Sequence, residues 1–355
     1  MRKLVIDRAA IKNNLTVIKD RAAGAAIYGV VTGDGQGVGA AALAQLLRDE
    51  GIGRFAVSEV SEAEALRQAG FVDEEILMLR ATTDREELER LVDLNVVCTV
   101  SSVDTGMALN ALAGNRSTVA EAHIQVDTGM GFGGFLVSEP EKLLLAYRSM
   151  PNVALSGVYT QLHAVRPNDP QAKRQLEQFQ QALDAIHQAG FETGVVHAAG
   201  SFALLHGLAP ELDGVRAGSA ILGRCRRTRD DGLKIVGFGQ APLTEVRWLP
   251  KGHVLGVDRP VTLKKPTRVA VLPVGYQNGF GVTRPRETGL LAAIARWRKN
   301  NRRTVRLGSQ RARVLGGLGA SELILDVTDL KCSVGDLATF EMDPLFARGF
   351  QVEFR

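Results

Sequence analysis

From residue 26 to about residue 222 the chain alternates short apolar runs with longer stretches in which apolar residues recur every three or four positions. Runs of the first kind read as strands buried on both faces, and stretches of the second kind as crossover helices packed on a parallel sheet. Eight strands are expected, at residues 26–31, 54–57, 76–79, 96–100, 122–126, 155–160, 195–198 and 214–216. Between them, 62–69 repeats Ala63, Leu66 and Ala69 at three-residue spacing, and 171–189 sets Leu176, Phe179, Leu183 and Ile186 on one face. Eight such repeats predict an α/β fold, a (β/α)8 barrel of the TIM type.

Beyond residue 224 the texture changes. Segments 267–272, 311–315 and 323–327 are short, rich in valine, leucine or isoleucine, and separated by glycine, proline or charged turns. They predict a C-terminal, mostly-β domain. The expected boundaries are 1–228 for the barrel and 229–355 for the β-domain.

Composition adds limits rather than detail. With 355 residues, 45% hydrophobic and 23% charged, the chain has apolar side chains enough for two cores. The formal charge of +4 is a small excess of basic residues along the sequence, apart from a cluster at 296–303 that includes Trp297. That cluster reads as a solvated turn or helix end, and neither a nucleic-acid nor a membrane partner is expected. Cys98, Cys225 and Cys332 lie far apart, with neither zinc-site spacing nor a disulfide framework, so a reduced cytoplasmic setting and no metal are expected. Residues 1–7 carry charges and lack the apolar run of a signal peptide or membrane span.

Candidate chemistry lies where the expected strands end. Thr32-Gly33-Asp34-Gly35-Gln36-Gly37-Val38-Gly39 follows the first strand and leads into a helix beginning near Ala40; it reads either as a phosphate cradle or as a tight βα loop. Asp127-Thr128-Gly129-Met130-Gly131 follows the fifth strand, where glycines permit close approach to a ligand. His197-Ala198-Ala199-Gly200-Ser201 ends the seventh strand and Val215-Arg216-Ala217-Gly218-Ser219 the eighth, the usual place of a barrel's phosphate site. A serine hydroxyl and free N–H groups suit a phosphate there, and Arg216 suits an anion or a ring nitrogen.

Taken in order, Val5-Ile6-Asp7, Asn13-Asn14-Leu15, Tyr28-Gly29-Val30-Val31, Asp127-Thr128-Gly129-Met130, the Ser201 turn, Arg216-Ala217-Gly218, Val274-Gly275-Tyr276 and Leu325-Asp326-Val327-Thr328 resemble the alanine racemases over essentially the whole chain. The resemblance implies their fold, a barrel carrying pyridoxal phosphate followed by a β-domain, and a head-to-tail homodimer in which the β-domain tyrosine reaches the partner's site. It also implies a lysine at the end of the first strand that forms a Schiff base with the cofactor and moves one proton while the tyrosine moves the other. Two opposed bases are what racemisation requires.

The chain departs from that pattern at several points. Thr32 stands at the lysine position, and a threonine cannot form a Schiff base. Gln36 stands where a phosphate-contacting tyrosine is usual, Gln125 where many members carry a carbamylated lysine, and Phe132 at an arginine that contacts the cofactor. Ala320 and Ser321 replace a Met-Asp pair facing the substrate carboxylate; Gln161 replaces a histidine, with His163 two positions on; and Phe354 falls near another phosphate-contacting tyrosine. Tyr276, Ser201, Arg216, Gly218 and Ser219 match the tyrosine base, the cofactor-facing arginine and part of the phosphate cradle.

Four of the candidate residues also have an ordinary reading. Tyr276 suits packing, Arg216 a pair with Asp213, Asp34 a loop cap, and His163 a polar loop or structural histidine. The expectation is a racemase-like protein without covalent pyridoxal phosphate or alanine racemase activity, which binds a small anionic or amino-acid-like ligand or a partner. The alternative is an enzyme doing different, or noncovalent, pyridoxal-phosphate-dependent amino-acid chemistry with Tyr276, His163 or Asp34 as acid or base.

Overall fold

The structure, a computed structural model, describes residues 1–163, 168–208, 211–225, 231–256, 260–283 and 303–355. The cluster at 296–303 lies outside the described residues except for Arg303. The chain opens with β1 (Lys3–Ile6) and a helix (Arg8–Ala22), then runs through β2 (Ala26–Val30), β3 (Arg54–Val57), β4 (Glu75–Met78), β5 (Cys98–Val100), β6 (Ala120–Asp127), β7 (Phe135–Leu136), β8 (Val153–Tyr159), β9 (Val195–Gly200) and β10 (Gly214–Ala217). Strands β2 to β6 and β8 to β10 are the eight expected ones. They form one parallel sheet in the order β4-β3-β2-β10-β9-β8-β6-β5, and a parallel bridge from Leu77 to Val97 brings its two edges together into a nearly closed barrel.

Helices follow the strands as the periodicity predicts, with Val60–Gln68 and Pro170–Gln188 at the two quoted stretches. Phe179, Leu183 and Ile186 are buried on the inner face of the second, beside the polar Gln175. Ala69 is not part of the first helix but caps its end.

The barrel interior is split in character. Tyr28, Ala56, Leu77 and Val97 form an apolar cluster on one side, while His123, His197, Arg216, Thr99 and Thr160 are buried polar groups. Gly157 makes room for this polar half, because a Cβ there would lie 2.6 Å from Nε2 of His123. Outside the strands, Asn14 is wholly buried and fastens the first helix to the end of the barrel. Its amide donates to the carbonyls of Ile221 (2.9 Å) and Lys234 (2.7 Å), and its oxygen accepts from Lys234 N–H (2.7 Å).

The second unit is a nine-stranded, largely antiparallel sheet. Its strands are β11 (Phe238–Pro242), β12 (Glu245–Leu249), β15 (Thr267–Leu272), β16 (Thr304–Leu307), β17 (Gln310–Leu315), β18 (Leu323–Asp326), β19 (Leu337–Glu341), β20 (Gln351–Phe354) and the N-terminal β1; β13 (Val254–Leu255) and β14 (Val261–Thr262) pair as a separate ribbon. Because β1 pairs with β11 and β20, Met1–Ala9 group with Val236–Arg355, and Ala10–Ile235 form the barrel unit. This division differs from the boundaries 1–228 and 229–355 drawn from sequence chiefly in grouping the first nine residues with the β strands. No local pattern announces a strand whose partners lie more than 200 residues away.

Candidate functional site

Arg216 enters the barrel from β10 and is 4% exposed. Its NH1 donates to Nδ1 of His197 (2.6 Å) and to the His197 carbonyl (3.3 Å). Its NH2 donates to the Thr160 carbonyl (2.6 Å), Gln161 Oε1 (2.9 Å) and the Ala198 carbonyl (3.4 Å). Every partner is neutral. The carboxylate of Asp213 instead accepts from Val196 N–H, so the Arg216–Asp213 pairing allowed by the sequence does not form. Burial without a counter-ion lowers the guanidinium to about 10.

The arginine fixes the tautomers beyond it. A guanidinium only donates, so Nδ1 of His197 is an acceptor and its proton sits on Nε2. That nitrogen lies 3.0 Å from Nδ1 of His123, which therefore accepts. The His197 ring stacks between Tyr28 (5.1 Å) and Tyr159 (5.0 Å). Burial, then Arg216, hold His197 well below its ordinary range and lower His123 to about 4. The sequence drew attention to the His197 segment but gave neither histidine a role.

At the mouth, the segment after β2 winds the wrong way. Gly33, Asp34, Gly35 and Gln36 have φ of 68°, 51°, 63° and 54°, a left-handed turn. Asp34 and Gln36 take a conformation costing about 1–2 kcal/mol per non-glycine residue, and two carboxylates hold it. Glu62 accepts from the N–H groups of Asp34 (3.1 Å), Ser58 (2.9 Å) and Glu59 (3.1 Å), and Asp34 Oδ1 accepts from Ala40 N–H (2.9 Å) at the start of the next helix. Asp34 thus has a capping role, and Glu62 joins the loops after β2 and β3. The signal for Glu62 was its place three residues after Glu59 at a helix start, where a capping box forms.

Thr32 opens this turn, half-buried, directly after the barrel strand. The buried Gln36 packs over Gly218, its Nε2 3.1 Å from where a Cβ would sit there, and donates to the Val30 carbonyl at 3.3 Å. Ser201 Oγ accepts from Gly218 N–H (2.9 Å) and Ala220 N–H (3.2 Å). The structure thus brings Thr32, Gln36, Ser201, Arg216, Gly218 and Ser219 to neighbouring ends of β2, β9 and β10.

Across the mouth, Asp127 organises its glycine-rich loop by accepting from the N–H groups of Gly129 (2.7 Å), Met130 (2.9 Å) and Gly131 (3.1 Å). Phe132 stands out on that loop, 77% exposed. Gln125 is half-buried on β6. His163 does not face Arg216 in the way Gln161 does; its N–H donates to Gln175 Oε1 (2.6 Å), and its Nδ1 is 3.9 Å from Asp169. The fully buried Gln175 also donates to the Gln161 carbonyl (3.2 Å) and Thr128 Oγ1 (3.4 Å), joining the loops after β6 and β8.

In the β unit Tyr276 is 49% exposed, and its N–H donates to the Gly319 carbonyl (3.1 Å). Gln277 N–H reaches the Ala320 carbonyl (3.0 Å), which sets Tyr276 beside the Ala320-Ser321 turn. Phe354 ends β20 with Arg8 over its ring.

Two family models match the chain: the N-terminal domain of alanine racemase over residues 6–225 and its C-terminal domain over residues 239–343. This chain belongs to the alanine racemase family. It is 29% identical over 283 residues to the alanine racemase of Clostridium tetani (strain Massachusetts / E88), covering 78% of this chain and 72% of that one. To the alanine racemase of Desulfosudis oleivorans it is 30% identical over 291 residues, covering 78% and 74%. In fold it is similar to the alanine racemase of Clostridium difficile 630, with a TM-score of 0.87 at 20% identity over 100% and 95% of the two chains. The alanine racemase from Bartonella henselae with covalently bound pyridoxal phosphate gives 0.84 at 21% identity over 100% and 99%.

The lysines of the barrel unit are Lys12, Lys19, Lys142, Lys173 and Lys234. The first four lie on helices, Lys12 and Lys19 paired with Glu50 and Lys142 with Glu139, and Lys234 follows the barrel. None stands at the carboxyl end of a barrel strand.

Proposed function

We propose that this protein binds a small anionic or amino-acid-like ligand, or a partner, on an alanine racemase scaffold, without alanine racemase activity and without covalently held pyridoxal phosphate. The observation that carries this reading is Thr32 after β2, with no lysine at any barrel strand end. A Schiff base needs an amine, and a hydroxyl cannot supply it.

The residues present do not fit a covalently held cofactor. Beyond the missing amine, the N–H groups of Gly218 and Ala220, in the part of the barrel that would cradle a phosphate, already donate to Ser201 Oγ, and the Gln36 amide covers Gly218. Phe132 adds an exposed apolar ring where the family resemblance implies a cation.

One observation favours a second reading, noncovalent cofactor chemistry. Five bonds hold the two terminal nitrogens of Arg216, and its Nε–H has no partner among the described residues. A donor left without a protein partner beside neutral His197 suits an acceptor on a planar ligand. In that reading Tyr276 is the acid or base, and the family's homodimer brings it to the site; Asp34, committed to its helix cap, is the weaker candidate.

Incubating the purified protein with pyridoxal phosphate and borohydride separates the readings. The proposal requires no peptide modified at a lysine and no D-alanine formed from L-alanine. A lysine-linked adduct with racemisation would overturn it. Cofactor retained through desalting without a borohydride-fixed adduct would favour the noncovalent reading.

A further inference from the structure

The small net charge of the whole chain conceals two opposed charges. The unit of Met1–Ala9 and Val236–Arg355 carries 22 Lys and Arg against 11 Asp and Glu, and the barrel unit carries 21 against 28, formal charges of +11 and −7. Whole-chain composition averages this away, which is why it argued against a polyanionic partner. Charge asymmetry between two parts of a chain is a sign of such a partner.

Three arginines of this unit share one face of the sheet. Arg306 on β16 lies directly opposite Arg311 on β17, and Arg313, two residues further along β17, lies opposite Thr304. Side chains two apart on a strand share a face, so all three guanidiniums project from the same side, and all three are exposed. None forms an ion pair or side-chain hydrogen bond among the described residues. Val305, Leu307 and Ala312, on the opposite face, are buried in the core. The pairing continues the basic face across the sheet, from Arg306 to Thr339, to Gln240 and to Lys3.

Acids also stand on this face. Glu353 pairs with Lys3 and Arg355, Glu245 with Arg247, and Asp326, directly opposite Arg313, accepts from Thr328 N–H and Oγ1 at Oδ1. Glu341, two residues on from Thr339, is engaged as well. Like charges directly opposite on paired strands are destabilising. Arg306 and Arg311 hold that arrangement with no ion pair to either of them among the described residues.

We propose that this arginine face binds nucleic acid through the phosphate backbone, without reading sequence. Guanidiniums suit phosphate geometry, and the residues set among them, Thr304, Thr339 and Gln240, are hydrogen-bonding side chains of the kind that contact phosphate and sugar. An anionic membrane surface would call for apolar side chains among the cations. No aromatic side chain stands in the row to stack on bases. The inference is independent of the barrel's ligand.

The test is fluorescence anisotropy of a labelled 20-nucleotide mixed-sequence DNA, single- and double-stranded, with the full-length protein between 25 and 300 mM NaCl. Saturable binding is expected, weakening linearly in log K against log salt with about 0.9 per phosphate contacted. The variant Arg306→Ala/Arg311→Ala/Arg313→Ala should lower that slope by about 2 to 3 and bind at least tenfold more weakly at 50 mM salt, with its melting temperature unchanged or raised. The triple lysine variant at the same positions, which keeps the charge, should retain binding.

The inference is overturned if micromolar protein fails to bind at 25 mM salt, or if the alanine variant binds with the wild-type slope. It is equally overturned if phosphatidylserine vesicles bind and the oligonucleotide does not. Loss of self-association in the alanine variant, with oligonucleotide binding intact, would make the face a contact between copies and overturn it too.

Discussion

The guanidinium of Arg216 donates to Nδ1 of His197 at 2.6 Å, and through His197 it sets the protonation of His123 as well. Burial, and then the positive charge of Arg216, hold both histidines neutral in the folded protein. In the unfolded chain they protonate near pH 6.5. The unfolded state then binds more protons than the native state, so stability falls as pH falls below 6.5, down to about 4 for His123. Each histidine contributes a slope of about 1.4 kcal/mol per pH unit. Urea titrations of the wild type and His123→Asn between pH 7 and 4.5 should show a steep acid loss in the first and a slope lower by about that amount in the second.

Asn14 saturates three backbone groups, the carbonyls of Ile221 and Lys234 and the Lys234 N–H. Replacing it by leucine leaves buried polar groups unpaired, at about 1–3 kcal/mol each. Denaturant unfolding of Asn14→Leu should give a loss of at least about 3 kcal/mol. A loss under 1 kcal/mol would mean the first helix is held by apolar packing alone.

The left-handed turn gives a backbone prediction. Gly35 has φ 63°, and a Cβ there would lie 2.9 Å from Ala40 N. Gly35→Ala should destabilise by about 2 kcal/mol or more, whereas Gly70→Ala, with nothing within 4 Å of an added Cβ, should show only the left-handed cost of about 1 kcal/mol. Equal effects of the two substitutions in thermal unfolding would contradict the close approach of the turn to the helix start.

Restoring one amine should not restore the family chemistry. Thr32→Lys places a lysine at the end of β2, but Gln36, Gln125, Phe132 and the Ala320-Ser321 turn remain. A site held by missing supports is not rebuilt by one residue. D-alanine production by this variant should stay at background; a turnover within about tenfold of the common enzymatic range of 1–10³ per second would refute the proposal that these surrounding positions matter.

Much of the barrel was legible because parallel strands buried on both faces leave unbroken apolar runs such as Phe55-Ala56-Val57 and Ile76-Leu77-Met78. The β unit was legible only in its longer strands. Two-residue strands such as Val254–Leu255 carry no periodicity, and β1 owes its place to partners at Gln240 and Gln351. At the mouth, strand ends located Thr32, Ser201 and Arg216, because position along a barrel strand fixes which end a residue occupies. The sequence did not reveal that Arg216 lacks a counter-ion, that His123 and His197 meet across 74 positions, or that Gln175 joins two loops from a helix. Each is a contact between distant segments, without a local signature.

The most direct test of the central claim is the absorbance spectrum of the purified protein from 300 to 500 nm with added pyridoxal phosphate, followed by borohydride reduction, desalting and peptide mapping. Absence of a racemase-type Schiff base predicts no protonated-aldimine band and no lysine-containing peptide carrying the reduced cofactor. A stable aldimine band fixed by borohydride to a single lysine peptide would contradict it.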